Sequence, residues 1–384
     1  MKALVVHAGN SWESTRGFEL MDVSEPVLDE KKNESDASAV IIKVHYAGVC
    51  GSDKGIWHRQ AFRDQIVGSL RAEQRPYRIV GHEFFGEIIA CGSNVGARYD
   101  LAAGEYVSCE SHVVCNTCFQ CRRGEKHVCT NEKILGISHD GAFAEYIKVP
   151  GHIVWKTDTT KIRPEIAALQ EPFGNAVHAA SKIDLRGNTV GIFGLGPIGL
   201  FALLVIKGFE ANHIIGIEPN PKAADMARAL GIDYVIPLLP IHDRPSYSHN
   251  PAVIKEVLAI TGGLGVDAAF EMAGFNSSVN NAIYSTRRGG DVILFGIKSG
   301  DFVIEQYDRL IVRGLTLHAV IGRKVFQTWE TTRALLEDTA NGIQESLWNI
   351  VLRQGNGTIL PISEYSKETF ETLLIKHPKF LLQF

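Results

Sequence analysis

Thr189-Val190-Gly191-Ile192-Phe193-Gly194-Leu195-Gly196-Pro197-Ile198-Gly199 is the stretch that decides the reading of this chain. Thr189 to Phe193 reads as a short buried strand, and the residues after Pro197 read as a helix to about Lys207. Between them lies G-x-G-x-x-G. Gly194 permits the tight turn, Gly196 lets a pyrophosphate approach the backbone, and Gly199 lets the helix pack closely on the strand. The helix start then presents free N–H groups and a positive dipole end to phosphates. Glu218 follows nineteen residues after Gly199, at the end of the next strand. A carboxylate there accepts hydrogen bonds from ribose hydroxyls and repels a 2′-phosphate, so NAD is favoured over NADP. The competing reading is a tight turn in some other α/β fold.

Outward from this stretch, strand and helix alternate. Ile214 to Glu218, Ala268 to Met272 and Asp291 to Phe295 read as strands, and Lys222 to Leu230 as a helix. That alternation predicts a parallel, doubly wound sheet. Residues 1–150 have a different texture, with short strands such as Val40 to Val44 and Phe84 to Ala90 between turn residues. The charged segment Asp29 to Ser38 reads as a solvated hairpin loop. Three segments are expected: 1–175 as a β-rich catalytic domain, 176–322 as the nucleotide-binding domain, and 323–384 as a tail returning to the first.

At 384 residues, two domains are expected. With 45% hydrophobic residues, 21% charged residues and a formal charge of −4, the composition is that of a globular protein with no call for nucleic acid or an acidic membrane surface as partner. The most apolar stretch, Val190 to Val205, is broken by four glycines and a proline, a poor membrane span. No leader pattern follows Met1, so a cytoplasmic location is expected.

Five of the seven cysteines fall between Cys109 and Cys129. Cys115, Cys118, Cys121 and Cys129 are spaced C-x2-C-x2-C-x7-C, which suits four thiolates converging on one structural zinc. An iron–sulfur cluster is the alternative, but there the fourth cysteine follows three residues later and precedes proline. Here it follows seven later and precedes Thr130. Three further pieces carry zinc-type ligands: Cys50 in Cys50-Gly51-Ser52-Asp53, His82 and Glu83 in Gly81-His82-Glu83, and Glu171 in Gln170-Glu171-Pro172. A Cys, a His and a carboxylate can hold one zinc with a position left open. Each taken singly also has a structural explanation as a core or turn residue.

Gly81-His82-Glu83 with Gly86-Glu87, the four-cysteine lobe of about 109–130 and Gly194 to Gly199 together resemble the zinc-containing medium-chain dehydrogenase family, over nearly the whole chain. The resemblance implies a GroES-like β catalytic domain joined to a Rossmann domain, a homotetramer, and a small-molecule alcohol as substrate. Glu171-Pro172-Phe173-Gly174-Asn175-Ala176-Val177-His178, His112 three residues before Cys115, and Gly322-Arg323-Lys324-Val325-Phe326-Gln327-Thr328-Trp329 are similar to the threonine-oxidising branch. Carried over, Cys50, His82 and Glu83 would sit at the catalytic zinc, with Glu171 as an exchangeable ligand. Ser52 would take the proton-relay position. Pro197, Ile198, Glu218, Phe295, Gly296, Ile297, Val320 and Ile321 would line the NAD site, and His112 would lie near the substrate pocket.

Two departures stand out. The family's relay histidine position is Gly55 here, leaving His58 or solvent to complete the relay. The segment Trp57 to Ile79 carries Arg59, Arg63, Arg71, Arg75 and Arg78, read either as a solvated insertion or as a grip on an anionic substrate. A polyol, sugar or sugar-phosphate dehydrogenase is therefore the alternative within the family. A zinc-free quinone reductase or a non-catalytic NAD-binding protein is the alternative outside it.

Overall fold

The computed structural model describes residues 1–7, 12, 15–297 and 300–384. The chain divides into two compact units. The first comprises Met1–Pro172, Lys324–Trp329 and Leu347–Phe384, and the second comprises Phe173–Arg323 and Glu330–Ser346.

The first unit is built on a seven-stranded sheet. Its central strand, Ala39–Gly48, is rich in β-branched residues and pairs antiparallel with Glu83–Cys91, Tyr146–Pro150 and Leu381–Gln383. Val40, Ile42, Val44, Phe84, Ile88, Ile147 and Leu382 pack into one core from these strands, joined by Val107 of the neighbouring strand Tyr106–Cys109. The chain's last strand and its Gly81-His82-Glu83 motif thus flank the same strand end: Gly48 stands opposite Glu83 on one side and Leu381 on the other. A three-stranded sheet, Glu19–Asp22, Lys2–His7 and Tyr77–Ile79, covers a smaller core around Ala3, Val5 and Ala144.

Two segments depart from their expected form. Asp29 to Ser38 is exposed from Glu30 to Ser35, as expected of a solvated segment, but it is not a plain hairpin loop. It holds the short helix Glu34–Ser38, and Asp36 is only 2% exposed. The Asp36 carboxylate accepts the Asp29 N–H at 2.9 Å and the Lys148 ammonium at 2.9 Å, so burial of this charge is offset by close partners. The arginine-rich segment is solvated only in part: Arg63 and Arg71 are exposed, as an insertion on the surface would be, while Arg59, Arg75 and Arg78 are held by partners within the unit. It forms the helix Arg63–Glu73, anchored by Ile66 and Leu70 one turn apart, then the strand Tyr77–Ile79. Arg78 is 1% exposed and reaches Glu73 at 2.8 Å and Asp140 at 3.1 Å. Arg75 reaches Asp140 at 2.5 Å, and Arg59 donates to the Ile56 and Gly17 carbonyls.

The second unit is a six-stranded sheet in which every pairing is parallel. Its order is Tyr234–Pro237, His213–Glu218, Thr189–Phe193, Val266–Glu271, Thr286–Leu294, Thr316–Ala319. In chain order that is 3-2-1-4-5-6, with the topological switch point beside Thr189–Phe193. The helix Pro197–Gly208 is apolar almost throughout and packs in the interior. The expected tail divides: Glu330–Ser346 belongs to this unit rather than returning whole to the first. Leu335 and Ile343 reach the helix at Gly208, where a side chain would crowd them. Among the described residues no helix is long and apolar enough to cross a membrane.

Candidate active site and metal-binding lobe

The end of the Ala39–Gly48 strand builds the first site. The chain leaves Gly48, passes Val49, and Cys50 begins the helix Gly51–Trp57. The Cys50 sulfur accepts an N–H from the first turn, and Asp53 returns the bond by accepting the Cys50 N–H at 2.9 Å. On the neighbouring strand, Glu83 lies opposite Gly48, where any side chain would overlap its carboxylate. Gly81 adopts φ +88°, and a Cβ there would run into the Phe143 ring. The turn carrying His82 therefore requires glycine on both conformational and steric grounds.

The result is a buried cluster. Ligand atoms of Cys50, His82 and Glu83 all lie within 4.8 Å of one another. Ser52 Oγ is 3.4 Å from His82 Nε2, and Asp53 Oδ1 is 3.7 Å from His82 Nδ1. Burial pulls the His82 ring toward neutrality, but the negative charges of Asp53, Cys50 and Glu171 outweigh it and hold its pKa well above the ordinary range. Glu171 lies outside the 4.8 Å group. It sits in the first turn of the helix Gln170–Ala180, beside Gln170, whose amide donates to Ser108 at 3.0 Å and Thr157 at 2.9 Å.

Two residues of this cluster carry no motif. Asp53 is fully buried, and its only local signal is its spacing three residues from Cys50. Lys379 pairs with Glu83 and donates to the Val49 carbonyl at 3.1 Å. Nothing near position 379 signals this, because the contact depends on the last strand pairing beside Gly48.

The second cluster is local. The sulfurs of Cys115, Cys118, Cys121 and Cys129 lie within 4.8 Å of one another. The Cys115–Cys129 separation is 3.5 Å and the Cys118–Cys129 separation 3.8 Å. Four sulfurs in tetrahedral array around zinc at about 2.3 Å stand about 3.8 Å apart, so the spacing fits one zinc and is far too long for disulfides. Hydrogen bonds from Thr117 and the Cys118 N–H lower the Cys115 pKa to about 5. The mixed Cys, His and carboxylate set fits a second zinc by its donor chemistry. His112 lies on the two-residue strand His112–Val113 leading into the lobe, with Nδ1 3.5 Å from Glu132. Its own N–H goes to Glu110, which also accepts the Trp329 indole N–H at 2.9 Å.

The nucleotide-type site lies in the second unit, at the carboxyl ends of its strands. Three of its helices begin with proline at the first turn. Asn220 and Asn250 cap two of them by accepting an N–H at 3.0 Å. The third, Pro197–Gly208, begins at Gly196 with no side-chain cap. A built Cβ at Gly196 meets nothing within 4 Å, whereas one at Gly199 would overlap the Gly194 carbonyl. The first-turn N–H groups of this helix are thus left for a ligand, as a dinucleotide phosphate requires. Glu218 accepts the Leu195 N–H at 2.7 Å and the Asn220 N–H at 2.8 Å, using two of the roughly four lone-pair positions of a carboxylate. Pro197 and Ile198 form the first helical turn. Phe295, Gly296 and Ile297 leave Thr286–Leu294, and Val320 and Ile321 leave Thr316–Ala319. Ile297 is 85% exposed, a large apolar side chain left open at this rim.

Comparison with known proteins agrees with this geometry. Residues 36–159 match the alcohol dehydrogenase GroES-like domain, and residues 197–338 match the zinc-binding dehydrogenase domain. The chain is 35% identical over 324 residues to an L-threonine 3-dehydrogenase of Pyrococcus horikoshii, covering 84% of each. It is 34% identical over 303 residues to one of Bacillus subtilis, covering 79% of this chain and 81% of that one. In fold it is similar to the (2R,3R)-butanediol dehydrogenase of Bacillus subtilis, with TM-score 0.80, 23% identity and coverage of 100% and 99%. It is also similar to the galactitol-1-phosphate dehydrogenase of Escherichia coli, with TM-score 0.78, 23% identity and coverage of 100% of each. The chain belongs to the zinc-binding dehydrogenase family, with a GroES-like domain and a zinc-binding dehydrogenase domain in one polypeptide.

Proposed function

We propose that this zinc-dependent, NAD-linked dehydrogenase oxidises the secondary hydroxyl of L-threonine to the corresponding β-keto amino acid. The observation that carries the reading is the convergence of Cys50, His82 and Glu83 within 4.8 Å at the buried end of one sheet. Cys50, His82 and Glu83 would hold the catalytic ion, with Glu171 as the further carboxylate, and Cys115, Cys118, Cys121 and Cys129 would hold the structural one. Zinc bound there supplies Lewis-acid polarisation of an alcohol oxygen, and NAD supplies the hydride acceptor.

The chain's own residues supply the rest. Asp53 Oδ1 faces His82 Nδ1 at 3.7 Å, too long for a hydrogen bond, so it acts on the ring through its charge, while Ser52 Oγ lies 3.4 Å from Nε2. Lys379 balances the Glu83 charge at a fully buried position. Ser52 Oγ can accept the proton leaving the substrate hydroxyl and pass it outward. No histidine can take the family's relay position without a shift, because even a Cβ at Gly55 would stand 2.9 Å from Ala61 Cβ. His58 ends the same helix, six residues beyond Ser52 and about 9 Å along its axis, so it does not receive the proton directly from Ser52. The proton would leave Ser52 by way of solvent. The uncapped helix start at Pro197 binds the pyrophosphate, and Glu218 reads the adenosine ribose.

The L-threonine 3-dehydrogenase relatives support threonine as the substrate. Of the five arginines that could grip a sugar phosphate, Arg59, Arg75 and Arg78 are committed to internal partners, which leaves only the exposed Arg63 and Arg71 for that alternative. The family reading also makes the enzyme a cytoplasmic homotetramer, for which light scattering should give four times the chain mass. The discriminating experiment is kcat/KM with NAD for L-threonine, sorbitol, 2,3-butanediol and galactitol 1-phosphate. Threonine should lead by at least tenfold, and a faster polyol or phosphate would replace it as the substrate.

A further inference from the structure

The second unit carries a cavity of about 620 Å³ that the dehydrogenase chemistry does not use. It lies at the opening of the strand Thr286–Leu294, whereas the nucleotide-type site lies beyond that strand's other end. At 3.3 Å per residue the two are separated by roughly 25 Å.

Four guanidinium groups line this cavity: Arg287, Arg288, Arg309 and Arg313. Asp308 is the one carboxylate among the lining side chains. Of the four arginines, only Arg287 has a carboxylate partner, Asp267 at 2.5 Å, among the described residues. Arg313 spends its donors on the Tyr284 and Thr286 carbonyls, and Arg288 reaches the Val312 carbonyl at 3.5 Å. Arg309 is held by a ring instead of an acid. Its guanidinium carbon stands 4.1 Å from the centre of Tyr284, whose other neighbour is the His249 ring at 3.8 Å. Arg309 Nε is buried without a hydrogen-bond partner. Burial and the charges of Arg309 and Arg288 depress the Arg313 pKa, a sign of crowded positive charge.

A cluster of like charges costs stability in the empty protein, and an anion relieves it. Guanidinium forks match phosphate oxygens two at a time. The cavity is in the size range of small-molecule sites. Leu264, 71% exposed, and Val312 give it an apolar margin suited to a nucleobase. We propose that this cavity is a second ligand site, for a phosphate-bearing anion of nucleotide size. Arg288 and Arg309 grip the phosphates, and Arg287 and Arg313 supply fixed positive potential behind them.

The test is calorimetric titration of the zinc-loaded, full-length enzyme, saturated with NAD so that its dinucleotide site is occupied, with ADP and separately with pyrophosphate. One saturable ADP site should remain under these conditions, with ADP bound more tightly than pyrophosphate. The double variant Arg288→Ala/Arg309→Ala should weaken ADP at least tenfold, with NAD affinity unchanged and the protein still folded by circular dichroism. Arg309→Lys keeps the charge but loses the fork, and should weaken ADP at least threefold. ADP binding abolished by NAD, or equal in wild type and double variant, would overturn the proposal. Equal affinity for ADP and pyrophosphate would overturn the nucleoside part of it.

Discussion

The two metal-type clusters are made in opposite ways. The lobe cysteines fall within fifteen residues of one another and meet through a tight local turn. Their own cluster contains little else: Val114 is the one other buried residue in it. Cys50, His82 and Glu83 come from separate segments, but the sheet register brings them together, and Gly48, Asp53 and Lys379 fit around them. If the lobe holds zinc as proposed, its fold should depend on that ion, while the other cluster is held in place by protein. Metal removal should affect the two differently.

The largest expected effect is on turnover. Cys50→Ser removes the thiolate from the preassembled cluster, and kcat/KM should fall by about 10³-fold or more while NAD affinity holds. Normal turnover in that variant would take Cys50 out of the chemistry. Next, Cys118→Ser should release one zinc equivalent and expose 109–130 to rapid proteolysis, with far-UV dichroism of the sheets little changed. A lobe as resistant as wild type without its metal would erase the contrast between the clusters. Third, Lys379→Met leaves Glu83 buried without a counter-charge, and denaturant unfolding of the zinc-free protein should show a loss of about 3–5 kcal/mol. A loss below about 1 kcal/mol would mean that the cluster is not held by this pair. The smallest effect is at the nucleotide-type site. Glu218→Ala should weaken NAD by roughly tenfold, as for a lost charged hydrogen bond, and relax discrimination against NADP. An unchanged cofactor preference would remove Glu218 as the ribose reader.

How far the sequence could be read follows the same local-versus-assembled division. The glycine turn, the strand before it and the helix after it could be read because their signals lie within a few residues of each other. The cysteine spacing was legible for the same reason. Charge misled where the partner lay far along the chain. Asp36 looked solvated because Lys148, more than a hundred residues later, reaches it only through pairing of the strands Ala39–Gly48 and Tyr146–Pro150. Arg78 looked like a surface or substrate cation because Asp140 is visible only in the fold. Lys379 and Asp53 carry no motif, and their meaning comes from the strand order and from one helical turn. The tail 323–384 carries no signal that would divide it, because Leu335 and Ile343 find their packing at Gly208, more than a hundred residues away in sequence.

The most direct measurement is anomalous diffraction at the zinc edge from crystals of the full-length protein. The account predicts two peaks per chain. One lies among Cys115, Cys118, Cys121 and Cys129, and the other within about 2.4 Å of both Cys50 Sγ and a His82 nitrogen. A single peak at the lobe, or a second one away from Cys50 and His82, would contradict it.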